Sequence, residues 1–359
     1  MKRILITGGA GFIGSNLAAR LHQEGYRITV LDNLHPQIHG YDPKHSSYSF
    51  QRIKDIVTFI NGDVCDPEIW PRVIPGIDMV VNLAAETGTG QSMYEINRYV
   101  EVNIGGTGRL LDYLANNQHN VKKLITASSR AIYGEGRYLC ENDGFVFPTP
   151  RTKAAMDSRM FEPTCPICSA KVSVVATNES SEVNTSSVYG ITKYNQEQLS
   201  RIVSSAINLP SVALRFQNVY GPGQSLENPY TGILSIFIKK LLNNEELNVF
   251  EDGEESRDFV FISDVVDSLL AVISNKEIIN TAINIGSGAR ISILEIAHLL
   301  KEEISSKSKI KVSGDFRIGD IRHNYADIEL AKQLFNYEPK VDIRTGINLL
   351  CDWAVGSLS

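Results

Sequence analysis

The sequence predicts a doubly wound α/β fold, a parallel sheet covered by helices on both faces, with a smaller C-terminal α/β lobe. Three observations predict it. Short, almost wholly apolar runs recur at RILIT, ITVLDN, VTFINGD, IDMVVNLAA and KKLITASS; the stretches between them are long enough for crossovers; and a glycine-rich turn, TGGAGFIG, follows the first run. Strands this apolar are buried on both faces, which is the condition of a parallel sheet rather than of an antiparallel sheet with one wet side.

Each element follows in order. RILIT is a buried strand, and FIGSNLAARLHQEG has helical apolar spacing that Gly25 ends. ITVLDN, VTFINGD, IDMVVNLAA and KKLITASS are the next strands, each preceded by a helical or irregular crossover. From about Tyr138 to Ser187 the alternation breaks down in a proline-bearing stretch that includes PTCPICSAKV, an insertion with its own small structure. Alternation resumes with helix SVYGITKYNQEQLSRIVSSA and strand SVALRF. GILSIFIKKLLNNEEL, RDFVFISDVVDSLLAVIS, TAINIGS and ISILEIAHLLKEEI then give shorter strands among helices. The expected division is 1–215 for the doubly wound domain, insertion included, and 216–359 mainly for the second lobe, with some segments returning to the first.

At 359 residues, with 43% hydrophobic and 21% charged residues, the chain can bury a large core and is not generally disordered. Its formal net charge of -6 gives no general attraction to nucleic acid or to an anionic membrane. An anionic ligand must therefore be met by local arginines or helix ends. The chain opens on MKRILITGG, already a strand, and no apolar run approaches a membrane span, so no targeting peptide is expected and the cytoplasm is the expected address. Five cysteines, Cys65, Cys140, Cys165, Cys168 and Cys351, are too few and odd in number for a disulfide framework.

Chemistry concentrates at strand ends. Gly8, Gly11 and Gly14, with Phe12 and Ile13 between them, stand where a dinucleotide-binding turn needs a tight bend, close backbone approach to a pyrophosphate and close helix packing. Asp32, eighteen residues past Gly14 and followed by Asn33, can accept the adenosine ribose hydroxyls and would repel a 2'-phosphate. NAD is therefore expected rather than NADP. Asp63 and Val64, at the end of a later strand, are placed to meet the adenine. Tyr189 and Lys193 lie one helical turn apart and can reach one ligand as an acid-base pair.

TGGAGFIG, NLAA, ASSRAIYG and YGITK together resemble the extended short-chain dehydrogenase/reductase family, a Rossmann-fold family, and especially its nucleotide-sugar epimerases and dehydratases. The resemblance covers nearly the whole chain. It implies a catalytic set of Ser129, Tyr189 and Lys193, in which Lys193 holds the nicotinamide ribose and lowers the phenol of Tyr189 from about 10. Tyr189 would take a proton from a sugar hydroxyl as the nicotinamide takes hydride from the same carbon. Leu83, Ala84 and Ala85 would line the nicotinamide ribose. Glu86, Thr87, Gln91 and Ser92, beyond that strand, are the candidates for sugar hydroxyls, joined by Ser129, Arg130 and Asn218. Arg257 and Arg322 match arginines that clamp a diphosphate, whose paired oxygens suit the guanidinium fork.

The family's dehydratases carry an acidic pair directly after the serine or threonine, where this chain has Arg130 and Ala131. The implied reaction is thus NAD-dependent 4-epimerisation of a nucleotide-linked hexose or 6-deoxyhexose. ETGTGQSM, SSRAIYGEG and the CPxC-bearing insertion resemble the dTDP-L-rhamnose 4-epimerase branch. A keto-sugar reductase and a non-catalytic dinucleotide sensor are the rival readings. The family also implies a homodimer paired through long helices. Cys165 and Cys168 have knuckle spacing, but no second pair is visible beside them, with Cys140, His119 or the same pair of another subunit as conceivable partners, and no metal is expected.

Overall fold

The apolar runs become one seven-stranded sheet. The computed structural model describes residues 2–226, 228, 230 and 232–358. The first strands are β1 (Arg3–Thr7), β2 (Arg27–Asp32), β3 (Thr58–Asn61), β4 (Met79–Asn82) and β5 (Lys123–Ser129). Within the insertion β6 (Tyr138–Cys140), β7 (Gly144–Val146) and β8 (Val172–Val174) form a separate antiparallel sheet. β9 (Ser211–Phe216) and the strand Thr281–Ile285 complete the large sheet.

Its order is Thr281–Ile285, β9, β5, β4, β1, β2, β3. β1 pairs in parallel with β2 and β4, β2 with β3, and β4 with β5. Successive strands run outward from β1 in one direction and from β4 in the other, which places the switch in strand order at the carboxyl ends of β1 and β4, where open sheets of this kind bind ligands. Burial explains why these residues are strands. Ile4, Leu5 and Ile6 are fully buried, and every residue of β5 is buried. Leu5, Leu31, Trp70, Val80, Leu110, Leu114 and Leu124 share one core cluster. Each such side chain contributes about 1.5–3 kcal/mol on leaving water.

The first helix, Phe12–Gln23, buries Leu17, Ala18 and Leu21, and Gly25 follows it at φ +81°. It packs on the helix Ile262–Ser274, which draws that late segment back to the sheet.

The chain forms two units. One comprises residues up to Ser129, Thr192–Arg215 and Ile262–Ile283; the other comprises Arg130–Ile191, Phe216–Phe261 and the residues from Asn284 onward. The insertion therefore belongs with the second unit, whereas the sequence reading placed it in the first domain. The reason is long-range pairing: Thr177 N donates to Tyr325 O and Asp327 N to Thr177 O, while Tyr133 OH donates to Asn284 Oδ1 at 2.8 Å.

Candidate active site

In the first unit, the glycine turn sits at the switch in strand order. Gly8 has φ +64°, and a Cβ there would lie 2.8 Å from Ala84 N and Cα, so only glycine lets the turn pass under the end of β4. A Cβ on Gly14 would meet Gly8 O at 2.5 Å and Gly9 Cα at 2.6 Å. The first helix starts at Gly11 without a side-chain cap, and its first turn carries no acid. An uncapped helix end of this kind leaves N–H groups and the positive end of the dipole able to meet an anion.

Asp32 is fixed at the end of β2. Its Oδ2 accepts from Ala10 N at 3.0 Å and its Oδ1 from Leu34 N at 2.9 Å. Burial raises its pKa above the usual range, with buried His39 3.6 Å away opposing the shift. His39 is a neighbour the sequence reading missed. Asn33 Nδ2 donates to Asp63 Oδ2 at 3.0 Å, and Asp63 Oδ1 accepts from Cys65 N at 2.8 Å. Burial would raise the Asp63 carboxyl, but these hydrogen bonds outweigh it and hold it low. Val64 lies in the core cluster beneath. The glycine turn, Asp32, Asn33 and Asp63 are thus linked through hydrogen bonds at the carboxyl ends of β1 to β3.

Leu83 N donates to Thr7 O and Ala84 N to Thr7 Oγ1. From there a polar chain reaches the helix Val188–Ala206: Gln196 Nε2 donates to Thr107 Oγ1 at 2.8 Å and lies 3.4 Å from Ala84 O, and Lys193 Nζ donates to Gln196 Oε1 at 2.5 Å. Asn103 adds a second strut, accepting from Glu86 N at 2.7 Å and donating to Glu86 O and to Thr192 Oγ1. Burial brings the Lys193 amine down to about 7, while Glu197, one turn on, favours its charged form. Tyr189 and Lys193 stand four residues apart on this helix.

Glu197 has no exposed side-chain surface. It accepts from Ser128 Oγ at 2.6 Å, Arg215 Nε at 3.0 Å and Arg215 NH2 at 2.7 Å. Ser128 is thereby turned into the core, and Ser129 is the last residue of β5. Nothing in local spacing marks Glu197, because its partners lie on two other elements.

Several candidates for sugar contacts are occupied by the protein itself. Glu86 Oε2 pairs with Arg98 NH2 at 2.8 Å. Thr87 O accepts from Tyr99 OH at 2.5 Å. Gln91 is buried among Gln37, Glu95 and Tyr99, and Ser92, fully buried, donates to Thr89 O. Gln91 and Ser92 therefore order their own loop, a correction to their reading as substrate ligands.

In the second unit, Arg130 NH2 lies 3.5 Å from Asn218 Oδ1, and Asn218 Nδ2 donates to Asp258 O at 2.9 Å. Burial, then the neighbouring Arg257 cation, brings the Arg130 guanidinium down to about 10, with Asp320, Tyr189 and Glu135 acting the other way. Arg130, Arg257 and Tyr189 are therefore electrostatic neighbours. Arg257 donates to Ser256 O, Arg322 O, Ile321 O and, at 3.0 Å, Asp320 Oδ1. Arg322 does not join them. Its side chain is 1% exposed and paired to Glu162 at 2.6 Å, Asp252 at 2.7 Å and Glu251 at 3.0 Å. The expected diphosphate clamp is a structural cation, because its fork is filled by carboxylates.

Buried Glu135, which accepts from Arg322 N at 2.7 Å and pairs with Arg151 at 3.2 Å, has its pKa pushed up to about 7 by burial against the pull of Arg151. A carboxyl raised on folding favours the folded state below its unfolded pKa and loses that contribution as pH rises to about 7. Between about pH 4.5 and 7 the stability gap between wild type and Glu135→Gln should shift by roughly 3 kcal/mol in the variant's favour. Urea unfolding across this range checks it; a constant gap would remove the assignment.

The Cys165–Cys168 half-knuckle is not isolated. The fold brings Cys140 Sγ, a conceivable partner from the sequence, to 3.6 Å from Cys168 Sγ, and Asp143 Oδ2, which the sequence did not single out, to 3.1 Å from Cys165 Sγ. The signal was CENDG, a second short turn opening on cysteine.

Comparison with known proteins gives the family. The model of the NAD dependent epimerase/dehydratase family matches residues 4–153 and 168–286. The chain is 35% identical to a dTDP-L-rhamnose 4-epimerase of Burkholderia thailandensis over 99% of this chain and 96% of that one. Among solved structures it resembles a UDP-glucose 4-epimerase of Thermotoga maritima in complex with UDP-glucose (TM-score 0.81, 29% identity, 99% and 100% of the two chains). It also resembles a UDP-glucuronic acid 4-epimerase of Bacillus cereus in complex with UDP-glucuronic acid and NAD (TM-score 0.79, 26% identity, 99% and 100%).

Proposed function

This chain belongs to the NAD dependent epimerase/dehydratase family, and from that premise we propose that it is a nucleotide-sugar 4-epimerase, with a dTDP-linked 6-deoxyhexose as the first substrate to test. The reading is carried by the glycine turn with its uncapped helix end, and by a helix on which Tyr189 and Lys193 stand one turn apart. The uncapped helix end and the glycine turn would hold the pyrophosphate, Asp32 and Asn33 the adenosine ribose, Asp63 and Val64 the adenine, and Leu83 to Ala85 with Lys193 the nicotinamide side. When bound, NAD takes a hydride from the sugar carbon and returns it.

The rest is the work of side chains. Tyr189 removes the proton from the sugar hydroxyl and gives it back after the ring has turned. Arg130, an electrostatic neighbour of Tyr189, favours the phenolate that this requires. Ser129 donates to the same sugar oxygen. Asn218, Arg130 and Arg257 supply the local polarity and positive charge for the diphosphate, which an acidic protein lacks overall. Glu86 and Thr87 remain candidates at the sugar side.

The chain's place in the cytoplasm is part of the same reading, supported by five unpaired cysteines; no described helix is long and apolar enough to cross a membrane. So is a homodimer, supported by Ile191 and Ile202, exposed by 47% and 65% on one face of the Val188–Ala206 helix.

The test is incubation with dTDP-, UDP-, CDP- and GDP-sugars without added cofactor, followed by NMR. Interconversion of C4 epimers is expected; a product formed only with NADPH would support the reductase instead. Changing Asp32 to Ser should relax the preference for NAD over NADP by one to two orders of magnitude, since the carboxylate's repulsion of a 2'-phosphate is lost. Binding titrations with both dinucleotides check this.

A further inference from the structure

We propose that Cys140, Asp143, Cys165 and Cys168 bind one zinc ion that closes the insertion, a site independent of the cofactor and substrate positions. One ligand atom from each residue lies within 4.8 Å of the other three. The measured edges are 3.6 Å for Cys140 Sγ to Cys168 Sγ, 3.5 Å for Cys140 Sγ to Asp143 Oδ2 and 3.1 Å for Cys165 Sγ to Asp143 Oδ2. Ligands at Zn–S of about 2.3 Å on a tetrahedron sit roughly 3.8 Å apart, and a carboxylate oxygen somewhat closer, so the four donors need only small adjustments around a central ion.

The two halves are built alike. Cys140 and Asp143 end and follow β6, with Gly144 next at φ +75°; Cys165 and Cys168 repeat the spacing, with Ser169 next at φ +60°. Cys165 is further constrained by Ile167 N at 3.4 Å from its sulfur, and Cys168 by Asn142 Nδ2 at 3.6 Å, the orienting N–H groups that metal-bound thiolates accept. Tyr138 and Val146 cluster with Cys140 and Cys165 on the inner side.

Four protein ligands leave no open position, so the ion is structural rather than catalytic. Binding displaces three thiol protons to solvent, and the carboxylate of Asp143 enters already ionised. The choice of three thiolates over oxygen donors favours zinc over magnesium or calcium. A disulfide between Cys140 and Cys168 would leave Cys165 and Asp143 converging on nothing.

Full-length protein purified without chelator from zinc-supplemented culture should contain one zinc per chain by inductively coupled plasma mass spectrometry. Replacing the zinc with cobalt should give the near-ultraviolet charge-transfer band of thiolate ligation. Cys165→Ser should lower zinc content at least tenfold, and Asp143→Cys should retain it. If Cys165→Ser fails to fold, the wild-type zinc content and cobalt spectrum decide alone. Folded wild type without zinc, without a cobalt band, and with Cys140, Cys165 and Cys168 alkylated as fast as exposed thiols would overturn the site. So would a Cys140–Cys168 disulfide in the intact mass.

Discussion

Tyr189→Phe is expected to lower 4-epimerisation by about 10²–10⁴-fold, the usual loss when a positioned acid-base group is removed. Phenylalanine keeps the ring and the helix, so the packing of Val188–Ala206 stays, and the groups proposed to hold the dinucleotide are unaltered. Bound NAD, released by denaturation and assayed enzymatically, should be near the wild-type amount. NMR of the substrate mixture supplies the rate. Full activity in the variant would move the proton transfer to another residue, and a variant that also lost its NAD would assign Tyr189 to binding instead.

Changing Glu197 to Gln is expected to cost about 3–5 kcal/mol of stability, because it leaves the Arg215 guanidinium buried without its counter-ion. Arg215 and Glu197 meet through two hydrogen bonds of 3.0 and 2.7 Å, and both are almost fully shielded from water. The urea midpoint should fall with the m-value unchanged. Adding Arg215→Met to Glu197→Leu should restore much of the loss, since apolar replacement of a whole buried pair is often neutral. A single variant as stable as the parent would show that Arg215 finds another partner.

The fold was legible in the sequence wherever burial dictated composition. RILIT and SVALRF coincide with β1 and β9, KKLITASS contains β5, and the helix read at SVYGITKYNQEQLSRIVSSA begins one residue later in the structure. The glycine turn was legible because sterics leave no alternative at Gly8 and Gly14. Side-chain partners were not. Glu197 and Arg215 are 18 positions apart, and Cys140 and Cys168 are 28 apart, so no local period relates them. Gln91 and Ser92 follow a strand end, where open sheets bind ligands, yet Tyr99 and Gln37 hold Gln91 within its own loop. Arg322 matches a ligand arginine by resemblance alone, and because a diphosphate and a pair of carboxylates make the same demand on a guanidinium, sequence does not say which is present.

The encirclement of Arg322 bears on how long the native state lasts. A single side chain gathers Glu162, Glu251 and Asp252, which are 160, 71 and 70 positions away along the chain. Loops of that length close late, after most local structure has formed, so this clasp contributes little to the barrier crossed on the way in and most of its hold to the barrier on the way out. Arg322→Met should accordingly hasten denaturation on the order of a hundredfold in a stopped-flow urea jump, with renaturation nearly as fast as before.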